Sequence, residues 1–279
     1  MAINPEKFEA KIEYVKLPEM PELTKEEVEG LQGFITEMSR ELRNEKLPVN
    51  NEGRLDMGQF GKVYSQEKIK GDRAEVEKLK EQWKNARITE LENKYGSLYP
   101  GKIAKFVENE IKMGEIWEML ATAILYKNLG EDFIVVRTSE YDDICNKLGK
   151  VDTFILDKKT GHMICAFDEV LAVTEEKRKE KEARVMEQNL KGGTNLEYGI
   201  YLEEGKLKRG QIEHLPVFYL PISALDLKET LGNPSRERET FQTMMNSIEG
   251  QIGEIREKPL NKKLKVQLDF FEKSLKPYA

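Results

Sequence analysis

The chain has 279 residues, 39% of them hydrophobic and 34% charged, with 11 Phe, 10 Tyr and 2 Trp: enough apolar material for one large core or two smaller ones, and too much for general disorder. A net charge of −6 gives no whole-chain attraction to nucleic acid, although a metal site and a local basic strip let an acidic protein meet phosphates. Cys145 and Cys165 lack CxxC spacing, which argues against structural zinc and a disulfide framework, and the apolar stretches are too short to span a bilayer.

Residues 1–70 are mixed and weakly periodic, with a helix expected over about 25–45. No secretory signal is visible in MAINPEKFEAKIEYVKL, so a cytoplasmic location is expected. The stretch LDMGQFGKVY (55–64) lacks the glycine pattern of a kinase or Walker loop and reads as a turn. Residues 72–96 are strongly helical and stop at Gly96. After Tyr99-Pro100-Gly101 a second helix is expected to about residue 128, with Ile103, Phe106, Val107, Ile111, Trp117, Leu120 and Ile124 at helical spacing.

From there the period changes. FIVVRT (133–138), VDTFILD (151–157) and HMICAFDEVLAV (162–173) are rich in β-branched and aromatic residues and read as strands. A charged helix follows over 174–190, with Thr174 as its cap and Gly192-Gly193 beyond its end. LEYGIYL (196–202) and LPVFYLPI (215–222) are further strands. Lys206, Lys208 and Arg209 form a small basic patch in a hairpin near Gly205 and Gly210. From 226 onward the chain is helical, with breaks near Pro234 and Pro259. Three regions are therefore expected: helices over 1–100, a core over 101–225, and C-terminal helices over 226–279 packed on that core.

The segment VDTFILDKKTGHMICAFDEV is the most informative. A three-residue loop, Lys159-Thr160-Gly161, pairs Lys158 with His162, Phe154 with Ala166 and Asp152 with Asp168. Opposed residues on one sheet face hold their Cβ atoms about 4.5–5.5 Å apart. Two ionised carboxylates facing each other among apolar neighbours are strongly destabilising, and a divalent cation relieves them. A one-residue slip separates the two aspartates, and either also fits a strand end paired with Arg or Lys.

Order and spacing together resemble the PD-(D/E)XK nuclease superfamily, and within it the archaeal Holliday-junction resolvase branch. The matching stretches are GEIWEMLATAILYKNLG, FIVVRTSEYDDICNKLGKVDTFIL and MICAFDEV, within about residues 101–202. Gly114 and Glu118 match the helical Gly-x-x-x-Glu, Arg137 the Arg ending the first strand, Asp152 the motif Asp, and Asp168 the second acidic position. The resemblance implies an α/β (α+β) fold with a restriction-endonuclease-like αβββαβ core and mixed sheet, flanked by N- and C-terminal helical regions. It further implies Mg²⁺ (or Mn²⁺) held by Asp152, Asp168 and Glu118, and hydrolysis of DNA phosphodiester bonds.

The family's Lys, two residues after the second acid, is replaced here by Val170. Lys177, early in the following helix, is the substitute catalytic amine, with Lys181 one turn on. Glu115 is the alternative to Glu118 on the same helix side, and its plain reading is a solvated side chain. Asp142 and Asp143 lie in a loop opening near the site, as turn formers or supporting ligands. Glu169 points to the opposite face unless a bulge intervenes. Val170 and the acidic net charge keep open a catalytically silent nuclease-fold protein that binds nucleic acid or protein. A third reading is a helical interaction protein whose strands are incidental. DNA is the expected partner, no membrane is expected, and a homodimer stays open.

Overall fold

Thr24 starts the first helix, α1 (Lys25–Asn44), through a capping box in which Thr24 and Glu27 bond each other's backbone N–H. In the computed structural model the described residues are 23–95, 100–110, 112–146, 150–171 and 174–278. Helix α2 (Gln66–Tyr95) begins earlier than the sequence suggests, because Ser65 accepts the Lys68 N–H and Gly71 sits inside the helix. The single helix expected up to residue 128 is two helices, α3 (Pro100–Asn109) and α4 (Met113–Leu129). The apolar positions of these two serve different neighbours. Ile103 packs with Leu91 of α2 in a satellite cluster, whereas α4 is buried on nearly every side in the main core.

The remaining elements are β1 (Phe133–Arg137), α5 (Glu140–Ile144), β2 (Thr153–Asp157), β3 (Met163–Leu171), α6 (Glu175–Leu190), β4 (Thr194–Glu203), β5 (Lys206–Leu215), β6 (Val217–Ile222), α7 (Ala224–Gly232), α8 (Pro234–Arg256) and α9 (Lys262–Leu275). A four-stranded mixed sheet runs β1-β2-β3-β6, antiparallel except for the parallel β3–β6 pair, and β4–β5 form a separate hairpin. The chain is thus a mixed α/β protein, with helices flanking a mixed sheet. Strand β5 falls where a hairpin was expected near Gly205 and Gly210, but its run to Leu215 was not read as a strand. Its alternating, half-exposed pattern is rich in Lys and Arg, which hides the periodicity. Pro216 separates it from β6, so the expected strand over 215–222 is the end of one strand and the whole of another.

The β2–β3 pairing is Phe154↔Ala166, as the sequence register predicts, but it is reached by a different route. The turn is one residue longer than expected: Asp157 Oδ1 accepts the N–H groups of Lys159 and Thr160, and the Asp157 N–H meets the His162 carbonyl. Gly161 takes φ +74°, the left-handed region. A β-bulge then leaves Leu156 opposite Met163 while Ile155 stays opposite Cys165, which restores the register. Above the bulge Phe154, Phe167 and Phe218, with Trp117 of α4, are fully buried. Helices α1, α8 and α9 add residues such as Ile35, Met245 and Phe271 to the same core. Among the described residues no helix is long and apolar enough to cross a membrane.

Candidate metal centre

Helix α4 is fixed to the sheet by Thr122, whose hydroxyl donates to the Glu118 carbonyl and lies 2.9 Å from the Thr153 hydroxyl on β2. Thr153 therefore faces α4. Its partner in the register is Phe167, and strand alternation places Glu169 two residues further along the same face. Glu118, one turn before Thr122, reaches this face from the helix. Asp152 stands in a bend just before β2, held by its N–H on the Phe167 carbonyl and its carbonyl on the Thr138 N–H. Leaving the strand pattern lets its carboxylate join the α4 side.

One oxygen each of Glu118, Asp143 and Asp152 lies within 4.8 Å of the others. Asp143 arrives on the short helix α5, started by the Ser139 cap. Asp152 Oδ2 accepts the Glu169 backbone N–H at 2.7 Å. The Glu169 side chain is buried, and neither carboxylate oxygen has a hydrogen-bond partner, although Asp152 and Thr153 are polar neighbours. Burial pushes Glu169 up to about 8. Burial, followed by the charges of Glu118, Asp143, Glu169 and Asp168, holds Asp152 well above the usual carboxylate range.

Two arginines partly neutralise the cluster. Arg54 Nη2 and Arg137 Nη2 both donate to Glu118 Oε2, at 3.1 and 2.8 Å, and Arg54 Nη1 pairs with Asp143 Oδ2 at 2.9 Å. Arg54 is delivered by backbone bonding to β1: Leu55 N–H meets the Arg137 carbonyl and Arg137 N–H meets the Gly53 carbonyl. Glu118, Asp143 and Asp152, with Glu169 beside them, outnumber the two guanidinium groups, and burial favours protons on Asp152 and Glu169 unless a cation takes up their charge. A divalent cation with oxygen ligands matches that charge. Oxygens about 2.1 Å from one Mg²⁺ lie about 3–4 Å apart in an octahedron, within the spread of this cluster. The residues present therefore fit a hard divalent cation, with Glu118, Asp143 and Asp152 as the clustered set and Glu169 beside Asp152.

The structure separates two residues that the sequence brings together. Asp168 turns to α6, where Lys181 Nζ donates to both its oxygens at 2.5 and 2.7 Å and Arg184 Nη2 donates to Oδ2 at 2.8 Å. It is not among the three clustered carboxylates. Asp152 leaves its strand face at the bend, so the regular pairing that puts both aspartates on one face does not carry to their carboxylates. Val170, where the resemblance leads one to expect a Lys, is buried. The side chain of Lys177 lies outside the described residues. Lys181 bonds Asp168 on the far side from Glu169. Glu115 is exposed, outside the cluster, and lines a separate cavity beside Arg137. Asp142 is buried and structural: it accepts the Ser139 hydroxyl and the N–H groups of Glu197 and Tyr198.

Sequence reasoning missed Arg54 altogether, because an arginine in the turn-rich stretch NNEGRLD carries no periodic signal. Comparison with protein-family models, with curated proteins and with solved structures gave no match.

Proposed function

We propose that this chain is a divalent-cation-dependent nuclease with a restriction-endonuclease-like αβββαβ core, hydrolysing phosphodiester bonds of DNA. The observation that carries the reading is the cluster of Glu118, Asp143 and Asp152, whose Asp152 accepts the backbone N–H of the buried Glu169 beside it. The element order α4-β1-β2-β3-α6-β6, with β4–β5 inserted before the last strand, supports it. In this reading Glu169 takes the place first given to Asp168, and the residue two further on is Leu171.

Asp152 and Glu169 would hold Mg²⁺ or Mn²⁺, with Glu118 and Asp143 closing the ring. Such an ion, when bound, polarises a phosphoryl oxygen and acidifies a water. Arg54 and Arg137 fix the Glu118 carboxylate, which limits its swing and keeps its charge in place. Thr122 and Thr153 lock α4 against β2, so the distance between Glu118 and Asp152 is set by packed elements rather than by a loop.

A second reading is favoured by the lack of a Lys in the cluster: Val170 and Leu171 are both apolar, and Lys181 is committed to Asp168. A catalytically silent protein of the same architecture would keep the carboxylates without cleaving. The test is incubation of DNA with the purified protein and Mg²⁺ or Mn²⁺, beside Asp152→Asn and Glu169→Gln. Cleavage that needs the ion and both acids supports the nuclease. Ion binding without cleavage supports the silent module.

A further inference from the structure

A cavity of about 460 Å³ is lined by Asn146 and Lys150, by the end of α6 and by Gly192, Gly193, Asn195 and His214. Lys150, two residues before Asp152, stands on one side, and Arg184 and Lys191 of the α6 region on the other. Arg184 also bonds Asp168, on the face of β3 opposite Glu169. The one acid in the lining, Glu187, is occupied by Lys191 at 2.6 Å. Gln188 lines the same space, is only 8% exposed, and its Nε2 has no hydrogen-bond partner. A buried donor amide with no acceptor, beside Lys150 and the ion-paired Arg184 and Lys191, suits an anionic oxygen. At the rim Lys150 Nζ sits 5.2 Å from the ring centre of Trp83, and this indole is 44% exposed, whereas the chain's other tryptophan, Trp117, is fully buried.

Resting on the nuclease reading, we infer that this cavity is a backbone-phosphate subsite for a single-stranded segment of nucleic acid, with the adjoining base stacked on Trp83. A cationic pocket followed by an open aromatic face is the chemistry that holds unpaired strands, since every base offers a π-face and a phosphate without needing a partner strand. Trp83 lies outside any apolar cluster, on the long polar helix α2. Packing does not require it there, and a base on its face does what solvent does not.

The experiment titrates the full-length protein, with Ca²⁺ in place of Mg²⁺, against a short single-stranded DNA, the same sequence as RNA, and its blunt duplex. Intrinsic fluorescence and anisotropy are read together. Either single strand quenches the tryptophan signal, and the quench comes from Trp83 because Trp117 is buried. Trp83→Ala and the pair Lys150→Glu/Lys191→Glu each weaken binding about tenfold or more, and the charge variant also flattens the salt dependence. All three changes are at exposed positions, and unchanged circular dichroism confirms the fold. Wild-type affinity in these variants, absence of quench, or binding of duplex in preference to single strand overturns the inference. Cleavage read on the same samples keeps the two proposals apart. A wild-type protein that quenches and binds but cuts nothing loses the nuclease and keeps the subsite. Ion-dependent cutting that is indifferent to Trp83, Lys150 and Lys191 keeps the nuclease and loses the subsite.

Discussion

Glu169 gives its backbone N–H to Asp152 Oδ2 over 2.7 Å, and its own buried carboxylate has Asp152 and Thr153 as its polar neighbours. The backbone of one acid thus orients the other, and the second acid is left to an ion or a proton.

That arrangement gives stability without metal a definite pH slope. Glu169 is pushed up to about 8 in the fold, against about 4.3 in an unfolded chain. Between these values the folded form holds the extra proton, so the stabilisation present at low pH is lost as pH rises through about 8. Asp152, raised by burial and its acidic neighbours, acts with the same sign. Thermal melts in EDTA should show Tm falling from about pH 5 to 9. Glu169→Gln should reduce the slope, and saturating Mn²⁺ should remove most of it by binding the ionised form. A melting temperature that is flat in EDTA contradicts the assignment.

Neighbouring acids on β3 should behave differently. Glu169→Gln is expected to weaken Mn²⁺ binding about tenfold or more in calorimetry, because it removes a ligand. Asp168→Asn, whose carboxylate is taken by Lys181 and Arg184, should leave that affinity within about twofold. Equal losses in the two variants would return Asp168 to the centre.

Arg54→Ala removes the cation that, among the described residues, touches both Glu118 and Asp143. With an ion pair broken at a residue only 6% exposed, the expected cost is about 3–5 kcal/mol in urea unfolding without metal. Added Mn²⁺ should recover part of it, since the ion takes over the neutralising role.

Asp142 and Asp143 are adjacent in sequence and opposite in duty. Asp142→Ala strips the acceptor from the backbone N–H groups of Glu197 and Tyr198, and should cost about 2–3 kcal/mol in folding. Asp143→Asn, which keeps an acceptor oxygen for Arg54, should cost less in folding than Arg54→Ala and lower Mn²⁺ affinity. Unfolding curves and calorimetry on the two variants separate the roles.

Gly161→Ala tests the turn that sets the hairpin. At φ +74° a new Cβ would stand 2.6 Å from the Leu202 carbonyl oxygen, which belongs to the backbone and cannot yield cheaply. A loss of about 1–3 kcal/mol is expected by chemical denaturation.

Much of this architecture was legible in the residues. Alternation in VDTFILD and MICAFDEV placed β2 and β3, and the pairing of Phe154 with Ala166 followed, although a longer turn and a bulge at Ile164 reach it by two cancelling irregularities. Glu118 and Asp152 were singled out and do meet in space. The rest was hidden for physical reasons. A strand rule assumes that residues alternate to the strand's last position, and Asp152 lies just past it, where a bend redirects its side chain. Glu169 was placed on the face opposite Asp168, where it lies, but without the bend that brings Asp152 to its side. Arg54 answers to a long-range bridge with Arg137, and no local pattern encodes a partner more than eighty residues away. The break between α3 and α4 comes from two separate packing partners, which a single helical period does not distinguish.

The bridge between Arg54 and Arg137 makes the site a joint property of distant stretches of chain. Glu118, Asp143, Asp152 and Glu169 all lie between residues 113 and 171, yet a piece of protein beginning near residue 100 would bring them together with Arg137 as their sole counter-charge. Evolution or engineering that excised that piece would inherit its acids and lose half of what restrains them, so the segment around Arg54 belongs to the reactive unit even though it lies far upstream.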